Sequence, residues 1–350
     1  MTSIRIIEFG FDGELADEFI QFSWEIYAHD SNWNPPNRET IRYQLSKDYP
    51  FYRHGRSRNY IALDEHGNPC GRISAIINDY LVVADEKIGH IGFFECVNRS
   101  DVAAKLLDHA GRFLRENGVT AIWGPLNFST LYSYRLLKSG HARPPFYTDI
   151  YNPSYYSALL EQYGYREIRS YSSEVGYRHD QVVAGYKPIR DRVRKAGFSF
   201  RCLDPSKFDE ELALLYELVT DIFGNNFAAS QIDPDEFNII YGPYRNLLKP
   251  DHLRFAYGPA GDAIGFFLAV PDFSGKYEGA YIAKMLGVRA GFRRYGIPAA
   301  LVHDTLSYFI ESGYTSCIAS LRIDENPSTH YGAGWYHELK RYALYEYRLR

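Results

Sequence analysis

The stretch Gly279–Val302, GAYIAKMLGVRAGFRRYGIPAALV, decides how the rest of the chain is read. Tyr281–Val288 is an apolar run of strand length; a turn rich in Gly and Arg follows it, and an amphipathic helix opens after the turn. A strand feeding a basic glycine turn and a helix N-terminus makes an anion site, because free backbone N–H groups and the positive end of the helix dipole converge there. Several kinds of protein share that arrangement, so the flanking sequence has to narrow it.

Downstream, the spacing predicts a helix over Pro298–Ser312, a strand Ser316–Leu321, Asn326 in a short Gly-rich turn and a strand Tyr342–Tyr347. Upstream lie a helix Phe208–Phe223, with Leu212, Leu215, Tyr216 and Val219 on one side, and two strands, Leu253–Tyr257 and Ala263–Val270, around a GPAG turn. The first half repeats this order: a helix Glu14–Tyr27, a hairpin of Asn59–Leu63 with Cys70–Asn78, a strand Ile88–Cys96, a helix Asp101–Asn117 ended by Gly118, and a strand Ala121–Gly124. A helix over Tyr132–Leu137, a helix Tyr155–Tyr163 and a strand Glu167–Tyr177 close it. Gly71 matches Gly265 at an offset of 194 (265 − 71), and Gly118 matches Gly313 at 195 (313 − 118). Asn152-Pro153 matches Asn326-Pro327 at 174 (326 − 152), which places about 20 extra residues of the first half in Pro125–Ile150. The expectation is an α/β protein with mixed sheet, made of two tandem copies of one unit, residues 1–180 and 181–350. Shifted back by 194, Arg293–Gly296 falls on Arg99–Val102, which lacks the glycine and adds Asp101. A carboxylate repels a phosphate, so only the second unit is expected to keep the anion site.

Composition excludes several classes. With 45% hydrophobic and 23% charged residues the chain is an ordinary globular protein, and a net charge of −4 provides no basic footprint for duplex nucleic acid. Cys70, Cys96, Cys202 and Cys317 are far apart and read as reduced thiols of a cytoplasmic protein. His330 and His337 lack a third ligand at a plausible spacing, so no metal is expected. No run of about 18 apolar residues calls for a membrane. Lys187, Arg190, Arg192, Arg194 and Lys195 in the linker Arg178–Gly197 read as the solvated face of a connecting helix.

The run LGVRAGFRRYGIPAALV, followed by SGYTS, ENPST and RYALYEY, resembles the acyl-CoA-binding core of the GNAT superfamily of N-acyltransferases. WNPP, PFY, GRISAI, GFFEC, GPLN and YNPSYY resemble a bacterial group in which two such units are joined. The resemblance implies that pantetheine enters between Gly279–Val288 and Ser316–Leu321 as an added strand, paired to the N–H groups of Leu286 and Val288. The pyrophosphate would lie on the backbone of Arg293–Ala299, through Arg293, Arg294, Gly296, Ile297 and Ala299, with Asn326 further along the site. Pro298 stands where the family has a second small residue, and the family helix after Asn326 is shortened.

Acyl transfer to an amine needs a base for the ammonium proton, an N–H donor for the oxyanion and an acid for the leaving thiolate. Leu286 is the expected donor and Tyr331 the expected acid, with Tyr336 second. For the base, Glu95, Asp272 and Lys284 each place a charge in an apolar strand, where a charge is either paired or functional. Glu95 is preferred; Glu278 and a bound water stay open. The resulting expectation is transfer of an acyl group, acetyl by preference, from acetyl-CoA or another acyl-CoA to a small-molecule amine. Two alternatives stand beside it: an aminoacyl-tRNA or acyl carrier protein as donor, docking on Arg190 and Arg194, and a CoA-binding protein without turnover.

Overall fold

The computed structural model describes residues 4–11, 13–81, 83, 86–325 and 334–349. In the first half these are β1 (Arg5–Phe9), α1 (Gly13–Ile26), α2 (Arg38–Gln44), β2 (Gly55–Leu63), β3 (Pro69–Asn78), β4 (Ile88–Cys96), α3 (Ser100–Glu116), β5 (Ala121–Gly124), β6 (Leu136–Ser139), α4 (Tyr156–Tyr163) and β7 (Arg166–Gly176). The linker forms α5 (His179–Lys195), and the second half follows with β8 (Ser199–Cys202), α6 (Phe208–Phe223), α7 (Pro234–Tyr241), β9 (Leu253–Tyr257), β10 (Ala263–Pro271), β11 (Ala280–Val288), α8 (Ile297–Glu311), β12 (Ser316–Ile323) and β13 (Tyr336–Arg348). The helix expected over Tyr132–Leu137 is absent: Leu136 and Leu137 enter strand β6 and pair with β13. No helix among the described residues is long and apolar enough to cross a membrane.

All strands belong to one sheet, in the order β1-β2-β3-β4-β5-β13-β7-β12-β11-β10-β9-β8, with β6 beside β13. The two copies are therefore not closed at residue 180. The final strand of the first copy, β7, pairs with β12 of the second, while β13 lies against β5 of the first, from Tyr345↔Gly124 to Arg348↔Ala121. Each copy supplies the strand that completes the other, and Tyr345 and Ala343 of β13 accordingly lie in the core of the first half with Leu106, Leu107 and Tyr156.

Helices cover both faces of the sheet. In the second half α6 and α7 bury Leu212, Leu215, Leu218 and Phe237 against one face, with Phe255, Phe266 and Ile282. On the other face α5 and α8 bury Val182, Val193, Ile297, Leu301 and Phe309 against Phe267, Tyr281 and Cys317. The recurrence of Val182, Tyr186, Ile189 and Val193 at helical spacing explains why α5 packs there. Arg190 and Arg194 keep contact with solvent but are also tied down: both guanidinium groups bond the carboxylate of Asp304 on α8, at 2.9 and 2.8 Å. Burial pushes the Asp304 carboxyl upward, but Arg194, His303 and Arg190 outweigh it and hold the group below its ordinary value.

A segment of the first half crosses into the second. Phe146 is buried among Val175, Ile282, Ile318 and Leu339. Beside it the Tyr147 N–H donates to Asp272 at 2.6 Å, and Asp149 forms a fully buried ion pair with Lys340 at 2.7 Å while accepting the Tyr342 hydroxyl at 2.6 Å.

Candidate active site

The centre of the second half is a fork between two parallel strands. β11 and β12 pair from Ala280↔Ser316 to Ala283↔Ala319 and then separate. Both strands turn by bulging. In β11, Leu268 faces Met285 while Ala269 faces Ala283, which leaves Lys284 looped out. In β12, the register against β7 jumps from Ala319↔Glu174 to Arg322↔Ser172, with Leu321 at φ +51°. The Leu321 N–H is turned onto Ser173 Oγ at 2.9 Å, so β12 follows β7 and abandons β11. Ser320 Oγ donates to the Ala283 carbonyl at 3.2 Å and marks the floor of the fork.

Beyond that floor β11 has one open edge. Arg289 N–H donates to Ile264 on the β10 side at 2.8 Å; by the alternation of an antiparallel ladder, Val288 and Leu286 point their N–H and C=O groups the other way. Among the described residues no hydrogen bond reaches the N–H of Leu286 or Val288, and the Val288 carbonyl accepts Arg293 Nε at 3.0 Å. The basic turn Ala290–Tyr295 is a 3₁₀ turn, and Gly296 caps α8 at φ +87°. In the first turn of α8, Pro298 has no N–H to offer; those of Ile297 and Ala299 remain, since Ala300 already donates to Gly296. The side chains of Ile297 and Ala299 are buried, so only their backbone can serve an anion. Arg293 and Arg294 are exposed, and Arg192 of α5 reaches the same turn, its Nη lying 3.7 Å from where a Cβ on Gly296 would sit. That Cβ would lie 2.7 Å from Ile189, so Gly296 is required by its left-handed backbone and by packing against α5.

The first half has the same fork, closed. β4 and β5 pair from Ile88↔Ala121 to His90↔Trp123, and Val97 N–H donates to Cys70 just as Arg289 does to Ile264, at offsets of 192 (289 − 97) and 194 (264 − 70). Here, however, Leu126 N–H donates to the Ile91 carbonyl at 2.8 Å and Asn127 Oδ1 accepts the Phe93 N–H at 2.8 Å. Farther along, Cys96 N–H donates to Tyr156 at 2.9 Å and the Tyr155 hydroxyl donates to the Cys96 carbonyl at 2.8 Å. The turn differs as well. Residues 97–99 join β4 to α3, whereas residues 289–296 join β11 to α8, five more, so a constant offset of 194 misaligns the two turns. The short turn carries an Arg99–Asp101 ion pair at the start of α3.

Of the expected catalytic residues, Glu95 lies in the closed fork. It accepts the hydroxyls of Tyr27 at 2.9 Å and Tyr156 at 2.6 Å and faces Arg72 at 3.7 Å; burial pushes its carboxyl up, and Arg72 and the two tyrosines oppose that. β4 and β11 are five strand spacings apart in the sheet, roughly 24 Å, so the structure does not bring Glu95 to the open edge. Tyr331 and Asn326 fall outside the described residues. Tyr336 opens β13 opposite Gly176, beside Cys317, where β11 and β12 are still paired and not in the fork. Asp272 accepts the N–H groups of Tyr147 and Tyr277 and the hydroxyl of Ser274, which ties a turn together. Glu278 is exposed at the far end of β11. Lys284 is the one candidate base that the structure places at the fork. Arg190 and Arg194 are both bonded to Asp304, Arg194 with its side chain still exposed.

No family profile matches the chain. It is 26% identical over 258 residues to Protein YghO of Escherichia coli (strain K12), covering 73% of this chain and 65% of that protein. It is 28% identical over 215 residues to the Bacterial ceramide synthase of Caulobacter vibrioides (strain NA1000 / CB15N), covering 60% of this chain and 55% of that one. The alignments thus span less than two thirds of either relative. Among solved structures, a tandem GNAT protein from the clavulanic acid biosynthesis pathway superposes with a TM-score of 0.57 at 13% identity, over 99% of this chain and 98% of its own. At that identity the superposition speaks for the fold, and the fold is plain: two GNAT-like units in tandem, each with its fork, share one continuous sheet in this chain.

Proposed function

We propose that the chain is an N-acyltransferase that moves an acyl group from acyl-CoA to the amine of a small molecule, with the donor held in the second fork. One observation carries the reading: a strand edge with unpaired N–H groups opens beside a basic turn and a helix start in the second unit, while the first unit fills the same edge with its own side chains. In this reading the N–H groups of Leu286 and Val288 pair with the pantetheine amides as an added strand pairs. Ile297 and Ala299 N–H groups, with Arg293 and Arg294, hold the pyrophosphate. The amine attacks the thioester carbonyl carbon, the oxyanion is held by Leu286 N–H, and the C–S bond breaks; Tyr331 returns a proton to the thiolate, and Asn326 is assigned to donor binding by the family resemblance. Glu95 has no part in this chemistry and serves the closure of the first unit.

Acyl length divides into two readings. Under α6 and α7, on the side of Met285, the apolar space between Leu212, Tyr241, Leu253 and Leu268 is about 10 Å³, room for at most a water, which favours a short acyl group. The relative named a ceramide synthase favours a long one, since a ceramide is a fatty amide of a long-chain amino alcohol; these helices would then have to part.

Thermal shift with acetyl-CoA and palmitoyl-CoA tests the reading. Saturation at about a hundred times Kd stabilises by ~2.7 kcal/mol, roughly 3–4 °C for a chain of this size. No shift with either ligand overturns the proposal. A shift without release of free CoA thiol to any primary amine leaves a binding protein without turnover.

A further inference from the structure

We infer that Lys284 is the base that takes the acceptor's proton, and that Thr148, delivered by the first half of the chain, positions it. The inference rests on the donor site proposed above and adds its acceptor side.

The bulge that opens the fork also sets the direction of Lys284. Along β11, Ala280 and Ile282 face α6 and α7, and Tyr281 faces α8. Because Lys284 is looped out, strict alternation breaks, and Met285 takes the α6–α7 face as well, where it accepts the Tyr241 hydroxyl at 3.6 Å. Lys284 thus shares that face, two residues before Leu286. Two residues of strand span roughly 7 Å, which a four-carbon side chain can cover to an atom held at the Leu286 N–H.

Among the described residues the amine has one hydrogen-bond partner. Nζ donates to Thr148 Oγ1 at 3.1 Å. Thr148 sits at φ +63° in the crossing segment, between Tyr147, anchored to Asp272, and Asp149, anchored to Lys340 and Tyr342. A β-branched residue in the left-handed region is held there only by such anchors, and the hydroxyl it presents is neutral. The charged groups of the surrounding elements are committed elsewhere: Asp149 to Lys340, Asp272 to its turn, and Glu174 of β7 to Arg322 of β12. With burial as the cause, the Lys284 ammonium is lowered to about 8. That moves the amine toward the range a general base needs. The neutral Nζ takes a proton from the acceptor's ammonium; the freed amine attacks the thioester carbon, the C–S bond breaks as the nitrogen sheds its second proton, which balances the proton given to the leaving thiolate, and Nζ later returns its own proton to solvent.

The test compares wild type with Lys284→Met, Lys284→Arg, Thr148→Val and Thr148→Ser, following release of CoA thiol from acetyl-CoA and palmitoyl-CoA with 2-aminoethanol and sphinganine between pH 6 and 10. Lys284→Met should lose at least 100-fold in kcat while keeping its acyl-CoA thermal shift. Lys284→Arg should be equally slow, because guanidinium stays charged throughout. Thr148→Val should lose less, with its pH limb displaced downward because the ammonium loses an acceptor, and Thr148→Ser should recover. Full activity in Lys284→Arg would make the group a cationic anchor and overturn the inference, as would a loss under threefold in Lys284→Met. A titration needing no substrate decides independently: after reductive ¹³C-methylation, the Lys284 resonance should titrate near pH 8, and a midpoint above pH 10 overturns the assignment whatever turnover shows. Absence of any acyl-CoA shift in wild type would instead count against the donor site.

Discussion

The two forks of this molecule start from the same backbone event and end as opposites. Each has parallel strands that part after a few pairs, with a bulge on the strand whose edge is released. In the first, Asn127, Tyr155 and Tyr156 supply the missing partners, so the edge becomes core. In the second, α5 packs against α8, and the Leu286 and Val288 N–H groups keep their edge open. Five additional residues then give the second fork a basic turn where the first has an Arg99–Asp101 pair. Under the function proposed above, the difference teaches how such a cleft is closed: its hydrogen bonds are satisfied from within, which stabilises the fold and leaves no free edge at once.

The sharpest way to break this comparison is Leu286→Pro. The lost N–H faces the open edge and makes no ladder bond, so the sheet should survive, while acyl-CoA affinity should fall more than tenfold by calorimetric titration. Tyr156→Phe in the closed fork is the mirror experiment. It strands Cys96 N–H and removes a donor from Glu95, and should destabilise by about 2 kcal/mol in urea unfolding without affecting acyl-CoA binding. If Tyr156→Phe instead creates a second acyl-CoA site, the closed fork is merely occupied by side chains and not retired.

Smaller effects test the α5 clamp and the bulge. Asp304→Asn should cost about 1–2 kcal/mol, less than a fully buried pair because Arg190 and Arg194 retain solvent contact. The Asp304 carboxyl is held below its unfolded value, so its stabilisation is present above the usual carboxylate range and is lost as pH falls through the folded value; in the Asn variant that part of the acid limb should be missing. Lys284 has the opposite sign. Its folded value is depressed to about 8, so wild-type stability should rise between pH 8 and the ordinary lysine range, and Lys284→Met should melt on the order of 1 °C higher at pH 7, with the gain gone in alkali.

Much of the fold was legible because strand length, helical spacing and helix-ending glycines are local signals: the elements from Ile88 to Gly124 and from Tyr281 to Leu321 follow their apolar periodicities. What the residues could not disclose was partner choice. Nothing in the alternation of Tyr336–Arg348 says that it will lie on β5 and not beside its own β12, since either neighbour buries the same side chains. Glu95 looked functional for a sound reason, a charge in an apolar strand, but its partners Tyr27, Tyr156 and Arg72 are 68, 61 and 23 (95 − 72) residues away and do not show in a local reading. The basic linker is legible in part: Lys187, Arg192, Arg194 and Lys195 are exposed on a connecting helix as the charge run suggests, whereas the bonds of Arg190 and Arg194 to Asp304, 114 and 110 residues on, arise only in the fold. Lys284 was visible as an interruption, yet its standing depends on a bulge and on Thr148 from 136 residues upstream.

The exchange of β7 and β13 has a consequence for how such a chain comes into being. A ribosome delivers the first unit long before residues 336–348, yet that unit's sheet has a vacant slot beside β5 until they arrive. During that interval β7 has neither of its two neighbours, β12 or β13, and its edges must be kept from pairing with another nascent chain. Neither half can therefore mature on its own schedule, and a nick within 178–197 would leave two pieces clasped through exchanged strands, not two domains released.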